Sequence, residues 1–209
     1  MKLYDYELSG NCWKVRFLLH ALGLPWETRQ MDFHPGREHK AEWFVERLNP
    51  LGQLPVLEDG DFVLRDAQAI LVYLASRYDT GRSWYPDDVR WRGEIQLWLA
   101  TADEITRTAS AARLHDAFGF EGEIEACRRG ARAVFRVLDD HLAERQAAGR
   151  RWLVGEHATL ADLACFPYAE LAPEGGIALD EFPALRTWLR DFRHRPGFVG
   201  MPGMIAPVS

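Results

Sequence analysis

A chain of 209 residues with 47% hydrophobic and 27% charged side chains can build one large domain or two small ones and leaves little material for long disorder. A formal net charge of -6, with its 25 Lys and Arg spread along the chain, excludes the concentrated basic footprint of a nucleic-acid binder. Membrane and metal partners are not expected either: no apolar run approaches the roughly 18 residues of a span, the start Met1–Asp5 carries no signal run, so a cytoplasmic setting is expected, Cys12, Cys127 and Cys165 are too widely spaced for a disulfide framework or zinc knuckle, and His34 and His39 match no ligand spacing.

The first predicted element is a short strand at Lys2–Tyr6, broken by the turn-forming Ser9, Gly10 and Asn11. Val15, Leu18, Leu19 and Leu22 then follow at helical spacing, and Gly23 and Pro25 end that helix. Trp26–Met31 supplies the next strand, and a crossover of this length through a helix implies a parallel, right-handed β-α-β unit. Residues 34–37 read as loop, Glu38–Leu48 as a second helix, and Asn49-Pro50-Leu51-Gly52 as its termination. Val56-Leu57 and Phe62-Val63-Leu64 flank an Asp-Gly turn and predict a hairpin, after which Asp66 opens a helix through Ile70, Tyr73 and Leu74 to about Tyr78.

Residues 79–86 form a Gly- and Pro-punctuated linker between expected domains at 1–78 and 87–209, and beyond it the strand signals stop. Trp91, Ile95, Trp98, Ala102, Ile105, Ala109 and Ala112 form one helical stripe; Ile124, Cys127, Ala131, Val134, Leu138 and Leu142 form another. These predict two long packed helices. Thr159-Leu160-Ala161-Asp162 carries the signature of a reciprocal capping box, Pro167 lies inside the helix it opens, and Phe182-Pro183 opens a last helix through Trp188, Leu189 and Phe192.

Three local signals fall in order: Ser9 in a turn before a helix, Gln53-Leu54-Pro55-Val56 before a strand, and Asp66-Ala67-Gln68-Ala69-Ile70 opening a helix. With the capping box at Thr159–Asp162, their order and spacing resemble the cytosolic glutathione transferase family over nearly the whole chain. The resemblance implies an α/β thioredoxin-like N-terminal domain that binds glutathione, followed by an all-α helical domain that holds a small apolar electrophile, usually in a homodimer. In the family the proline at the position of Pro55 is cis, and the backbone N–H and C=O of the residue before it, here Leu54, pair with glutathione like one rung of an added strand. Asp66 falls where the family grips the γ-glutamyl group, and Gln53 where it reaches the glycyl end. The family's hydroxyl after the acid is replaced by Ala67, which keeps only its backbone N–H.

At the reactive end, transferases with a serine mechanism place a hydroxyl where this chain has Ser9. A hydroxyl donating to the sulfur favours thiolate over thiol, aided by the helix N-terminus. Lowering a thiol pKa from about 8.5 to roughly 6.5 raises the thiolate fraction at pH 7 from about 3% to about 75%, for about 2.7 kcal/mol. Two alternatives stay open in the same turn. Cys12 resembles the turn cysteine of bacterial members that form a mixed disulfide with glutathione, and Ser9-Gly-Asn11-Cys-Trp-Lys14 resembles the turn of a class that reduces disulfides with two glutathiones. The resemblance places the second substrate near Trp13, Arg107, Ala111 and Leu114 and near the C-terminal tail. A non-enzymatic binding or interaction role is the remaining alternative, because the fold is also used that way.

Overall fold

The computed structural model describes residues 1–204; the last five residues of the expected helical domain and its tail lie outside the described residues. The chain divides into two compact units, residues 1–82 and residues from 83 onward.

In the first unit β1 (Lys2–Asp5), α1 (Gly10–Ala21) and β2 (Glu27–Gln30) form the anticipated parallel β-α-β unit. α2 (Glu42–Arg47), the hairpin β3 (Val56–Asp59) and β4 (Phe62–Arg65), and α3 (Ala67–Tyr78) follow. The four-stranded mixed sheet has the order β2-β1-β3-β4, with β3 antiparallel to both neighbours. The hairpin closes over two residues, and Gly60 takes the left-handed position at φ +66 that its missing Cβ makes inexpensive. Alternation along β1 sends Leu3 and Tyr4 to opposite faces. Tyr4 joins Met31, Phe44 and Val56 in a core cluster under α2, while α1 and α3 pack against each other with Val15, Leu18, Ile70 and Leu74 fully buried. Tyr73 and Tyr78 both donate to Asp59 Oδ2, at 2.7 and 2.5 Å, which ties α3 to the hairpin and holds the Asp59 carboxyl below its ordinary value.

The continuous helix read at Glu38–Leu48 is divided. A single 3-10 turn spans Glu38–Lys40, the backbone becomes extended at Ala41, and α2 begins at Glu42. Distant partners cause the break: the His39 ring stacks on Phe33 at 4.3 Å, and Lys40 Nζ donates to Leu51 O at 3.0 Å. One uninterrupted helical stripe would not let both side chains reach them.

The second unit is all-helical: α4 (Val89–Ile105), α5 (Ala111–Phe118), α6 (Ile124–Ala147), α7 (Leu160–Glu170) and α8 (Pro183–Arg193). Ile95, Trp98, Ala102, Ile105, Ala109 and Ala112 are buried, as their stripe implied, but the first long helix is interrupted by a π-turn at Thr106–Ser110. Thr106 Oγ1 donates to Ala102 O at 2.9 Å and Thr108 Oγ1 to Glu104 O at 2.6 Å, so two hydroxyls compete with the helical ladder where it loosens. At the start of α7 the capping box is complete: Thr159 Oγ1 accepts from Ala161 N, and Thr159 N donates to Asp162 Oδ2 at 2.9 Å. The buried Asp162 carboxylate also accepts from Leu153 N and from Trp188 Nε1, each at 2.9 Å. Burial pushes this carboxyl up, and the three nitrogen donors oppose that shift.

Candidate functional site

The strand register decides which residues meet. Tyr4 pairs with Val56 and Val56 with Arg65, so the end of β1, the start of β3 and the end of β4 lie at one end of the sheet. The chain leaves β1 into the turn that starts α1 and leaves β4 through Asp66 into α3. Two helix N-termini, with their inward partial positive charge, therefore flank the segment Gln53–Pro55 that enters β3.

The first of these turns is built around Arg16. Its guanidinium pairs with the buried Asp5 carboxylate and donates to Tyr6 O at 3.4 Å and to Glu7 O at 2.9 Å, which fixes the path out of β1. Arg16 carries no signal in the sequence, because its pairing with Asp5 and with two carbonyls arises only once the chain turns out of β1. Ser9 then caps α1: its backbone is extended, its N–H donates to Tyr6 O at 2.9 Å, and its Oγ accepts from Cys12 N at 3.2 Å. A hydroxyl used this way as an acceptor keeps its own hydrogen for another partner.

Cys12 shares the turn in a different environment. It is fully buried, and its thiol is pushed up to about 12, first by burial and then by the charge of Asp5. A sulfur held protonated and away from the surface has little capacity for attack or exchange. Asn11, half-buried, accepts at Oδ1 from Lys14 Nζ at 2.8 Å, and Lys14 is fully buried. Tyr4 is committed to packing: its phenol donates to Glu58 Oε1 at 3.1 Å, and burial first, then Glu58, raises it above its ordinary value. Tyr6 stacks on Phe33 at 5.0 Å, and Phe33 continues the stack to His39.

Asn49, buried, organises the loop into β3 by accepting from Leu51 N and donating to Gln53 O at 2.9 Å. Residues 39 and 40 press closely on this loop. A Cβ at Gly52, which has φ +56, would stand 2.8 Å from Lys40 Cδ and 2.9 Å from His39 O. Lys40 thus brings an ammonium onto the Leu51 carbonyl, two residues before exposed Gln53 in the chain, an arrangement that needs the fold to be seen. The peptide between Leu54 and Pro55 is cis, and among the described residues no hydrogen bond uses the N–H or C=O of Leu54.

Asp66 is exposed and adopts φ +77 and ψ 127, a region that costs a side-chain-bearing residue about 1–3 kcal/mol and recurs at functional sites. Its Oδ1 accepts from Ala69 N at 2.9 Å, so it caps α3 with one oxygen, and Ala67 behind it is buried. Of the expected second-substrate residues, Trp13 belongs to the first unit, buried with its ring 5.0 Å from Phe17. Arg107, Ala111 and Leu114 belong to the second unit. Arg107 lies exposed in the π-turn and pairs with Glu104, while Ala111 and Leu114 are half-buried one turn apart on α5. Among the described residues no three His, Cys, Asp or Glu side chains converge as a metal site requires, and no helix is long and apolar enough to cross a membrane.

Such a sheet end offers a polar backbone edge, two helix N-termini, a strained acid and a capping hydroxyl. Residues 3–83 match the family profile of the glutathione S-transferase N-terminal domain, and residues 101–196 that of the C-terminal domain. The chain is 30% identical to the glutathione S-transferase-like protein OpS6 of Beauveria bassiana, over 94% of this chain and 91% of that one. It is 36% identical to human glutathione S-transferase theta-2, over 79% of this chain and 69% of the relative. Among solved structures, a glutathione S-transferase from Pseudomonas fluorescens superimposes with a TM-score of 0.85 at 28% identity, covering 96% of this chain and 98% of that one. Yeast Ure2p in complex with glutathione superimposes with a TM-score of 0.80 at 29% identity, covering 94% and 95%. The chain belongs to the glutathione S-transferase family.

Proposed function

We propose that this protein conjugates glutathione to small apolar electrophiles, with the tripeptide held at the sheet end of the first unit and Ser9 activating its thiol. The observation that carries this reading is the position of Ser9: a half-buried hydroxyl at the N-terminus of α1, at the same end of the sheet as Leu54, Pro55 and Asp66. In this arrangement Leu54 gives its N–H and C=O to the cysteinyl backbone. Asp66 and Ala67 N–H take the γ-glutamyl group at the start of α3, and Gln53 takes the glycyl carboxylate. Ser9 donates its hydrogen to the sulfur, and the positive end of α1 adds to the stabilisation of negative charge there. Asn11 lies in the same turn, while burial keeps Cys12 a thiol and sets it behind Ser9 as the acting group. Arg107, Ala111 and Leu114, on the second unit, are the residues offered to the electrophile. The working form is a cytoplasmic homodimer.

A second reading, glutathione-dependent reduction of disulfides on the same site, is favoured by the Asn11–Lys14 pair. It is also favoured by a solved relative from Lodderomyces elongisporus, described as holding two GSH per subunit, which is 26% identical with a TM-score of 0.82. Retention on immobilised glutathione followed by initial rates with an aryl halide and with a glutathione mixed disulfide separates these readings from a non-enzymatic role. Rates at the uncatalysed background with both substrates would sink both enzymatic readings. Light scattering should give about twice the 23.9 kDa chain mass, and a stable monomer would refute the dimer.

A further inference from the structure

Two parts of the candidate site come from separate stretches of the first unit. Tyr6 belongs to one of them: its carbonyl accepts from Ser9 N at 2.9 Å and from the Arg16 guanidinium at 3.4 Å, so the residue that anchors the Ser9 turn also carries a ring. His39 belongs to the other. It is buried, and its carbonyl stands 2.9 Å from where a Cβ on Gly52 would lie, so its backbone presses on the residue before Gln53. Between them stands half-buried Phe33, whose ring is stacked on Tyr6 at 5.0 Å and 28° and on His39 at 4.3 Å and 19°. We propose that Phe33 is a positioning residue: the Tyr6–Phe33–His39 stack is a strut that sets how far the Gly52–Gln53 segment stands from the Ser9 turn, and so fits the cleft to a tripeptide thiol over a dipeptide one. The proposal rests on the transferase reading of this site and deepens it.

The loop that presents Phe33 is tied to itself. Asp32 O accepts from Glu38 N at 2.8 Å, Asp32 Oδ1 accepts from Gly36 N at 2.9 Å, and Asp32 N donates to Glu38 Oε2 at 3.0 Å. A ring held on such a loop keeps its place when pressed from either side, as a spacer must. At the far end the His39 ring is buried, its Nδ1 finds no hydrogen-bond partner among the described residues, and burial first, then Lys40 and Arg37, holds it down to about 4. A histidine kept uncharged, with no bond on Nδ1, serves here as an aromatic plate. The Ser9 turn has its own brace in the Asp5–Arg16 pair, so removing the middle ring leaves that turn in place and frees the Gly52 loop. Because Gly52 has no Cβ, His39 meets backbone directly, and a shift there reaches Gln53, whose carbonyl Asn49 holds in the same loop.

The test measures by calorimetry the Kd of glutathione and of γ-glutamylcysteine, which lacks the glycyl end, in the wild type, Phe33→Leu, Phe33→Tyr, Gln53→Ala and the double variant Phe33→Leu with Gln53→Ala. The ultraviolet thiolate band of bound glutathione is titrated at saturation alongside. Phe33→Leu should raise the Kd of glutathione about tenfold, keep that of γ-glutamylcysteine within about twofold and leave the bound thiol pKa unchanged, because only the Gly52 side moves. Phe33→Tyr keeps a ring and should match the wild type. The double variant should weaken glutathione no more than the worse single one, because both lose the same glycyl contact. Equal weakening of the two ligands in Phe33→Leu, a raised thiol pKa, wild-type Kd values or additive losses in the double variant would each overturn the proposal. Should Phe33→Leu not fold, His39→Leu breaks the stack at its other end and is read against the same outcomes. A wild type that binds neither ligand would sink the transferase reading itself, whereas a wild type that binds both equally well would refute the strut alone.

Discussion

Replacing Ser9 by alanine removes two interactions at once, and the structure allows them to be separated. The first is the cap: Oγ accepts from Cys12 N at 3.2 Å, and losing such a cap costs about 1 kcal/mol of stability. The second is the donor to the sulfur, worth about 1.4 to 4 kcal/mol if it acts on developing thiolate, or roughly a ten- to thousandfold loss in kcat. Ser9→Asp keeps an oxygen acceptor for Cys12 N but has no hydrogen to donate at neutral pH, so it should recover the melting temperature and not the turnover. Ser9→Thr should recover both. Thermal melts followed by thiolate titration and initial rates with an aryl halide measure the two effects independently. The reasoning fails if Ser9→Ala leaves the pKa of bound glutathione unchanged, or if Ser9→Asp turns over like the wild type.

Asp66→Ala should raise the KM for glutathione about tenfold while changing kcat less, the pattern of a lost binding contact; an unchanged KM would remove Asp66 from the site. Iodoacetamide at mildly alkaline pH should label Cys127 in the folded protein and reach the buried Cys12 and Cys165 only after denaturation, as peptide mass mapping would show; fast labelling of Cys12 would contradict its burial. His39 is held down to about 4 by burial first and then by Lys40 and Arg37, whereas an unfolded histidine titrates near 6.5. On acidification the unfolded chain takes up that proton first, so the stability tied to neutral His39 is full above about pH 6.5 and is lost towards pH 4. Denaturant melts across this window should show the loss in the wild type and a smaller one in His39→Phe.

What could be read from the sequence was local. The turn after β1, the Asp-Gly hairpin and the box at Thr159–Asp162 each declare themselves within a few residues, and each forms as read. The 3-10 turn at Glu38–Lys40 was misread as helix because Phe33 and Leu51 divert His39 and Lys40. The π-turn at Thr106–Ser110 was hidden by a hydrophobic stripe that runs through it with its period intact. For the candidate site, motif order named Ser9, Leu54, Pro55 and Asp66, but only the pairings of Tyr4 with Val56 and Val56 with Arg65 bring them to one end of a sheet. The burial of Cys12 and the bond from Lys14 to Asn11 depend on packing around α1, which spacing along the chain does not specify.

The Asp162 carboxylate collects its nitrogen donors at sequence separations of 3, 9 and 26 residues. Leu153 and Thr159 are close to Asp162 in the chain, so the start of α7 closes with two local donors. Trp188 arrives last, and until α8 docks the carboxylate is short of one donor in a position destined to exclude water. A chain stopped before α8 would carry that deficit permanently. The same bond thus makes the closure of the α7 start depend on a residue that lies on the last helix of the unit.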